Sequence, residues 1–238
     1  MALSDTRLYH ADYYRYMQKN YFKRTPWSRD RIRNIFTTQP QDLRNQRILD
    51  VGAGMGSITF ELLKRRAEVV SIDLSRLSLS LLKHSAACHG LGRPAAVSSD
   101  CAYFPFKANS FDGIICADLV EHIEPGTAQR LFADAYRAVK PGGFFLVYTP
   151  TAGHVFNRMR EKRIILSKID SHIDMKNMHQ LQRDLRACGF SITHACYQPS
   201  HVPLWRQAEK LLIKVPVLGA LFARRIYILC EKERKANP

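Results

Sequence analysis

The sequence predicts an α/β fold, a mainly parallel sheet covered by helices on both faces. Two observations carry this. From residue 48 onward, short apolar runs alternate with longer stretches of helical period. The short runs are apolar on both faces, as strands buried between two helix layers are, and do not alternate apolar with polar. A third observation bounds the answer. A chain of 238 residues is long enough for one sizeable core with appendages.

Each element follows in order. RILDVGA is a short apolar strand, and MGSITFELLKRRA is a helix with apolar Ile58, Phe60, Leu62 and Leu63. AEVVSIDLS is a second strand ending at Asp73, and SRLSLSLLKHSAACHG is a helix stopped by Gly90. AAVSSD and FDGIICADL are the third and fourth strands. GTAQRLFADAYRAVK is a helix ended by Pro141 and two glycines, and GGFFLVYTP is the fifth strand. Beyond residue 150 the rhythm loosens. MHQLQRDLRACGF reads as a helix closing on Gly189, and SITHACYQ and RIYILCEK read as two more strands. Residues 1–46 are expected to form an N-terminal helical cap or lid, and 47–238 the main domain with insertions at about 152–180 and 198–224.

The charge is strongly positive and unevenly placed. The chain carries 36 basic and 21 acidic side chains, a net of +15. Residues 1–47 hold ten basic and four acidic residues, 48–153 hold ten of each, and 154–238 hold sixteen and seven. The middle is neutral, so the flanks supply the excess. Such flanks suit an anionic partner (nucleic acid, a phospholipid surface or an acidic metabolite), or simply a solvated basic face.

The six cysteines, Cys88, Cys101, Cys116, Cys188, Cys196 and Cys230, form no Cys-x-x-Cys pair, and no metal site is expected. Their placement inside predicted elements suits a reducing, cytoplasmic compartment. MALSDTRLYH has no apolar signal core, and no run reaches the 18 or so apolar residues of a spanning helix.

The stretch ILDVGAGMG at Ile48–Gly56 places three alternate glycines directly after a buried strand. A strand, a glycine-rich turn and a helix N-terminus form a cofactor site at the carboxyl edge of a parallel sheet. Asp73 lies at the end of the second strand, where a carboxylate accepts the ribose hydroxyls of an adenosine. The dinucleotide fingerprint G-x-G-x-x-G is not met, because the third glycine comes one position early. Further marks are Asp50 inside the first strand, the Asp100-Cys101 pair after the third, and VKPGG before the fifth.

ILDVGAGMG, SIDLS, Asp100-Cys101, FDGIICADLVEHI and VKPGG, in that order, resemble the class I S-adenosylmethionine-dependent methyltransferases. Within them the chain is most similar to the small-molecule branch that includes ubiquinone-biosynthesis enzymes. The resemblance runs from about Arg47 to Pro150 and returns at the last two strands. It implies a Rossmann-like seven-stranded sheet, mostly parallel with an antiparallel last strand. It implies S-adenosylmethionine as cofactor and S-adenosylhomocysteine as product. By the same resemblance Gly52, Gly54 and Gly56 lie against the methionine part, and Asp50 orients the loop or meets the amino group through water. Asp73 binds the ribose, Asp100 and Cys101 hold the adenine with Leu74 packed on one face, and Asp118 edges the sulfonium region.

Methyl transfer from a sulfonium is an in-line displacement, so the protein mainly holds the acceptor in line and, for oxygen or carbon acceptors, removes a proton. The candidate bases are His122, in Asp118-Leu-Val-Glu121-His122, and His172, in the insertion after the fifth strand; His154 is less well placed. His122 has a plainer reading as packing beneath the cofactor, and His172 as a polar loop residue. Glu121 and His122 are sequence neighbours and are expected to point apart. Tyr136-Arg-Ala-Val-Lys140 has the spacing of a short-chain dehydrogenase pair, but Lys140 abuts Pro141 and the helix reads as core-facing.

The flanks are expected to build the acceptor pocket. Tyr9, Tyr13 and Tyr16 fall at i, i+4 and i+7, one face of a helix that either closes over the cofactor as a lid or packs on the sheet. Trp205–Lys214 is amphipathic and leads into Val215–Ala223, which reads as an interfacial helix, a hydrophobic pocket wall or plain core. The expected acceptor is a hydrophobic or anionic small molecule, with the protein cytoplasmic or peripheral at the inner face of a membrane. RNA remains an alternative partner, given basic flanks with interleaved aromatics. A non-catalytic cofactor-binding subunit is the third reading. The acceptor atom and oligomeric state are left open.

Overall fold

The computed structural model describes residues 11–38, 42–152, 173–199 and 223–234, together with 209, 211 and 215. His154, His172, Tyr9 and most of the 205–223 stretch lie outside the described residues.

Seven strands form one sheet: β1 (Arg47–Val51), β2 (Glu68–Asp73), β3 (Ala95–Ser98), β4 (Phe111–Ala117), β5 (Val139–Pro150), β6 (Ser191–Gln198) and β7 (Arg225–Glu231). Their order is β3-β2-β1-β4-β5-β7-β6. β1 pairs with β2, β2 with β3 and β4 with β5, all parallel. β7 is antiparallel to both β5 and β6, which makes the last strand the reversed one. The seven-stranded, mostly parallel sheet expected from the sequence is the one observed. The chain divides into two units, Met1–Cys101 and Ala102–Pro238.

In the first unit, α1 (Ala11–Phe22) and α2 (Pro26–Ile35) precede β1. Thr25 caps α2 by accepting the Ser28 N–H at 3.4 Å, and Pro26 opens the helix where its missing N–H costs nothing. α3 (Ser57–Lys64) follows β1, and α4 (Arg76–Cys88) follows β2. The sequence pattern starts α3 at Met55, but it begins at Ser57. Gly56 is the cap, at φ +94° in the left-handed region. Ile48, Leu49, Phe60, Leu62, Ile72 and Leu82 are fully buried, each worth about 1.5–3 kcal/mol of burial.

In the second unit, α5 (Pro125–Ala138) joins β4 to β5, and α6 (Met178–Ala187) precedes β6. α5 ends two residues earlier than the sequence pattern suggests. Val139 and Lys140 are already strand, because a residue before proline disfavours the helical region. Asn177 and Gln180 close a reciprocal capping box at the start of α6, both bonds at 2.9 Å. Tyr136, Phe145 and Phe190 pack at 5.1 and 5.3 Å between ring centroids. The Tyr136–Lys140 spacing has a structural explanation here. Tyr136 packs edge-on to Phe190, while Lys140 Nζ donates to Asp112 Oδ1 at 2.8 Å.

Candidate functional site

The first unit contains the glycine loop and the residues around it. The loop leaves β1 at Val51 and enters α3 at Ser57, and its main chain is largely self-satisfied. Gly52 and Ala53 donate their N–H groups to the Ile72 carbonyl at 2.9 and 3.0 Å, and the Gly56 N–H goes to Ala53 O at 2.9 Å. The Gly54 N–H goes to Asp73 Oδ2 at 2.8 Å. The backbone donors that the glycine pattern promised to a ligand are mostly spent inside the loop and on β2.

Two of the glycines have different physical reasons for being bare. At Gly56 a Cβ would come within 2.7 Å of Leu82 Cγ and 2.8 Å of Phe60 Cζ, so this glycine is required by packing within the protein. At Gly54, φ is +51°, and the nearest atom to a built Cβ is Gly52 O at 4.0 Å. Packing does not forbid a side chain there, and the loop face at Gly54 is open.

Asp73 ends β2 and ties three elements together. Oδ2 accepts from Gly54 and Oδ1 accepts the Ser75 N–H at 2.8 Å, at the residue that caps α4. A carboxylate offers about four lone-pair sites. These two main-chain bonds fix the group's plane while using half of them. Beside it Leu74 is 64% exposed, an apolar side chain held out at the strand end.

Asp50 is buried in β1. Thr59 of α3 donates to Asp50 Oδ2 at 2.7 Å, and Thr59 and Ser71 hydrogen-bond each other at 2.8 Å. Burial pushes the Asp50 carboxyl up to about 6, against the opposing pull of the Thr59 bond and the charge of Arg31. Arg31, on α2, donates to Ser57 Oγ at 2.7 Å at the first residue of α3. Sequence reasoning missed Arg31, and nothing in its local pattern marks it out. Asp100 is exposed in the loop after β3. Cys101 is half-buried, and burial first, then the neighbouring Asp100 charge and a hydrogen bond to it, push its thiol up to about 12.

On the helix α1, Tyr16 is the member of the expected tyrosine face whose side chain is described. Tyr16 is 63% exposed, whereas Gln18 and Tyr21 are buried. Tyr21 donates to Glu61 Oε1 at 2.5 Å, and Lys64 Nζ donates to Tyr21 Oη at 2.7 Å. Phe22 stacks on His89 with centroids 3.6 Å apart.

The second unit holds a separate polar cluster after β4. Asp118 takes the left-handed conformation at φ +57°, donates its N–H to Tyr148 O at 2.8 Å, and forms an ion pair with Arg225 of β7. Burial is the largest single influence on Arg225 and opposes its charge, but Asp118, Tyr148 and Glu121 together raise the guanidinium above its ordinary value. Glu121 is buried, and Thr149 Oγ1 donates to its Oε2 at 2.8 Å. Desolvation and the Asp118 charge raise the Glu121 carboxyl well above the carboxylate range. The Glu121 main-chain carbonyl accepts from Ile173 at 2.8 Å and Asp174 at 3.2 Å, where the described chain resumes after residue 172. His122 Nε2 stands 3.9 Å from Glu121 Oε1, so the neighbours expected to point apart come within ion-pair range. Sequence reasoning noted Glu121 only as a neighbour and missed Thr149 and Arg225, whose partners lie far away along the chain.

Residues 48–143 match the family model described as a methyltransferase domain. A ubiquinone/menaquinone biosynthesis C-methyltransferase from Bartonella quintana is 33% identical over 111 residues, 45% of this chain and 42% of that protein. A phosphoethanolamine N-methyltransferase from Triticum aestivum is 36% identical over 106 residues, 43% of this chain and 20% of that protein. The chain thus spans less than half the length of either curated relative. Among solved structures, an S-adenosylmethionine-dependent methyltransferase from Archaeoglobus fulgidus superposes with a TM-score of 0.66 at 15% identity, covering 91% of this chain and 99% of that one. That likeness establishes the fold. The matched stretch, residues 48–143, is thus similar to a methyltransferase domain, and it carries the glycine loop, Asp73, Asp100 and Asp118.

Proposed function

We propose that this protein transfers the methyl group of S-adenosylmethionine to a small-molecule acceptor of hydrophobic character. The observation that carries the reading is the Asp73 carboxylate, oriented by Gly54 and Ser75 beside an open loop face and an exposed Leu74. The residues fit the cofactor. Asp73 would take the ribose hydroxyls, Leu74 the adenine face, and Asp100 with Cys101 the adenine edge. Gly52 and Gly54 would meet the methionine part, with Gly56 supporting the loop from within.

Electrostatics supports the same assignment. Asp50, Asp73 and Asp100 gather three carboxyl groups in one unit, which suits a ligand bearing a sulfonium and an ammonium. When bound, the sulfonium supplies an electrophilic methyl group already activated by its positive charge. The chain's own residues would then bind, orient and exclude water. His122 and His172 are the proposed bases for an acceptor that must lose a proton. Asp118 enters this scheme with its charge already matched by Arg225.

The quinone-pathway name of the Bartonella relative supports a hydrophobic acceptor, and the wheat relative's name supports a small anionic one. No helix among the described residues is long and apolar enough to cross a membrane. Leu211 is 71% exposed in the amphipathic segment, which favours a peripheral contact with lipid.

The test is incubation with methyl-labelled S-adenosylmethionine and a whole-cell extract. Label in the organic-soluble or small-molecule fraction is expected. Label in RNA, with a salt-sensitive gel shift, would replace this reading with an RNA methyltransferase. Cofactor binding without label in any fraction would leave a non-catalytic subunit.

A further inference from the structure

We infer that Gln18 is a positioning residue: its side-chain amide holds the glycine loop in the shape that receives the nucleoside, and so couples docking of α1 to cofactor binding. The inference rests on the cofactor reading above for its ligand, and on the protein alone for its geometry.

Gln18 is 8% exposed on the inner face of α1. Nε2 donates to Met55 O at 3.1 Å and to Leu81 O at 3.2 Å, and Oε1 accepts from Ser85 Oγ at 2.8 Å. Both amide hydrogens and the carbonyl are therefore used. Two of the three bonds run to α4 and serve helix packing. The third runs to the loop.

The Met55 carbonyl is a sensitive place. It lies between Gly54 at φ +51° and Gly56 at φ +94°. Turning over the peptide that joins Met55 to Gly56 changes ψ of Met55 and φ of Gly56, and glycine crosses between backbone regions at little steric cost. The peptide joining Met55 to Gly56 is held at both ends: its carbonyl by Gln18 and its N–H by Ala53 O at 2.9 Å. Removing Gln18 leaves one of these two restraints and orphans a carbonyl in a buried cluster.

The helix that carries Gln18 is tied down on the same elements. Tyr21 bonds Glu61 and Lys64 on α3, and Phe22 stacks on His89 just past α4. α1 thus bridges the helix that the loop enters and the helix that follows Asp73. A ligand that favours the ordered loop must favour docked α1 by the same factor, because coupling is reciprocal.

The experiment uses the full chain and three variants. Gln18→Leu keeps the bulk and removes the loop bond. Ser85→Ala removes only the packing bond on α4. Gln18→Glu keeps the shape but loses the donors. In the ligand-free protein, hydrogen exchange at the Gly54 and Gly56 amides should rise about tenfold in Gln18→Leu and Gln18→Glu, and stay unchanged in Ser85→Ala. Calorimetric titration with S-adenosylhomocysteine should show about tenfold weaker binding in the two Gln18 variants only, about 1.4 kcal/mol. The same ligand should slow exchange across residues 15–22 in the wild type and not in Gln18→Leu. A purely structural Gln18 would lower thermal stability in both Gln18 and Ser85 variants without separating them in binding or loop exchange, and would overturn the inference. If the wild type bound no S-adenosylhomocysteine, the cofactor reading would fall, while the ligand-free exchange at Gly54 and Gly56 would still decide the role of Gln18.

Discussion

Asp73 Oδ2 accepts the N–H of Gly54 at 2.8 Å across 19 residues of sequence. The residue read as the ribose ligand is thus also the residue that shapes the loop. The proposed ribose role and the observed loop bond would share one carboxylate, and variants that separate them are informative.

The glycines provide one such separation. Gly54→Ala meets open space but must hold a side chain at φ +51°, a strain of about 1–2 kcal/mol. Gly56→Ala adds a collision with Leu82 and Phe60, and should cost about 3 kcal/mol or more. The expected outcome is that Gly56→Ala loses most in urea unfolding, while Gly54→Ala loses most in S-adenosylhomocysteine titration, by about tenfold or more. Equal effects of both on both measurements would show that the loop face at Gly54 is not a binding face.

The Asp118–Arg225 pair provides a second prediction. Both side chains are about one-fifth exposed, so the pair is only partly screened. Arg225→Met leaves Asp118 beside the buried Glu121 carboxyl and should destabilise by about 3 kcal/mol in chemical unfolding. Asp118→Asn in the same background should recover more than half of that loss, because the uncompensated charge goes with it. A double variant no better than the single one would show that packing of the guanidinium, not its charge, matters.

Glu121 sets a pH dependence. Its carboxyl is raised from 4.5 to about 8 in the folded protein, first by burial and then by Asp118. The folded state therefore holds a proton that the unfolded state releases. The stability this provides is whole below the ordinary carboxylate range and is lost as pH climbs through the raised value. Asp50, raised from 3.8 to about 6, acts in the same direction over a lower window. The melting temperature of the wild type should fall from pH 5 to 8 more steeply than that of Glu121→Gln. Parallel curves would mean that Glu121 is not a proton-holding group.

The amphipathic 205–223 segment gives the fourth. Changing Leu211, Leu212 and Leu218 to Ser should abolish co-sedimentation with anionic phospholipid vesicles while leaving S-adenosylhomocysteine binding within about twofold. Unchanged sedimentation would remove the lipid surface from the account.

Much of this architecture was legible in the residues. β1, β2, β4 and β5 were readable because strands buried on both faces write continuous apolar runs, and α4 because Ser75 and Gly90 bracket it. The end of β2 was readable because Asp73 closes an apolar run. The phase of α1 was not. The Tyr9-Tyr13-Tyr16 spacing suggested a lid or a face packed on the sheet; of these Tyr16 is exposed, while Gln18 and Tyr21, which the spacing did not single out, face in. A helix buries whichever face its neighbours can satisfy, and here the neighbours offer the carbonyls of Met55 and Leu81. Those acceptors lie 37 and 63 residues away, beyond any local pattern. The same distance hid Thr149 and Arg225 as partners of Glu121 and Asp118. The reason for Gly56 was also hidden, since Leu82 and Phe60 require its bareness from inside the fold.

The most direct test is calorimetric titration of S-adenosylhomocysteine into wild type and Asp73→Asn, with folding of the variant checked by its melting curve. Wild type should release heat and saturate at one molecule per chain, and Asp73→Asn should bind about a hundredfold more weakly, about 2.7 kcal/mol. No heat with wild type, or superimposable titrations of the two proteins, would contradict the proposed cofactor site.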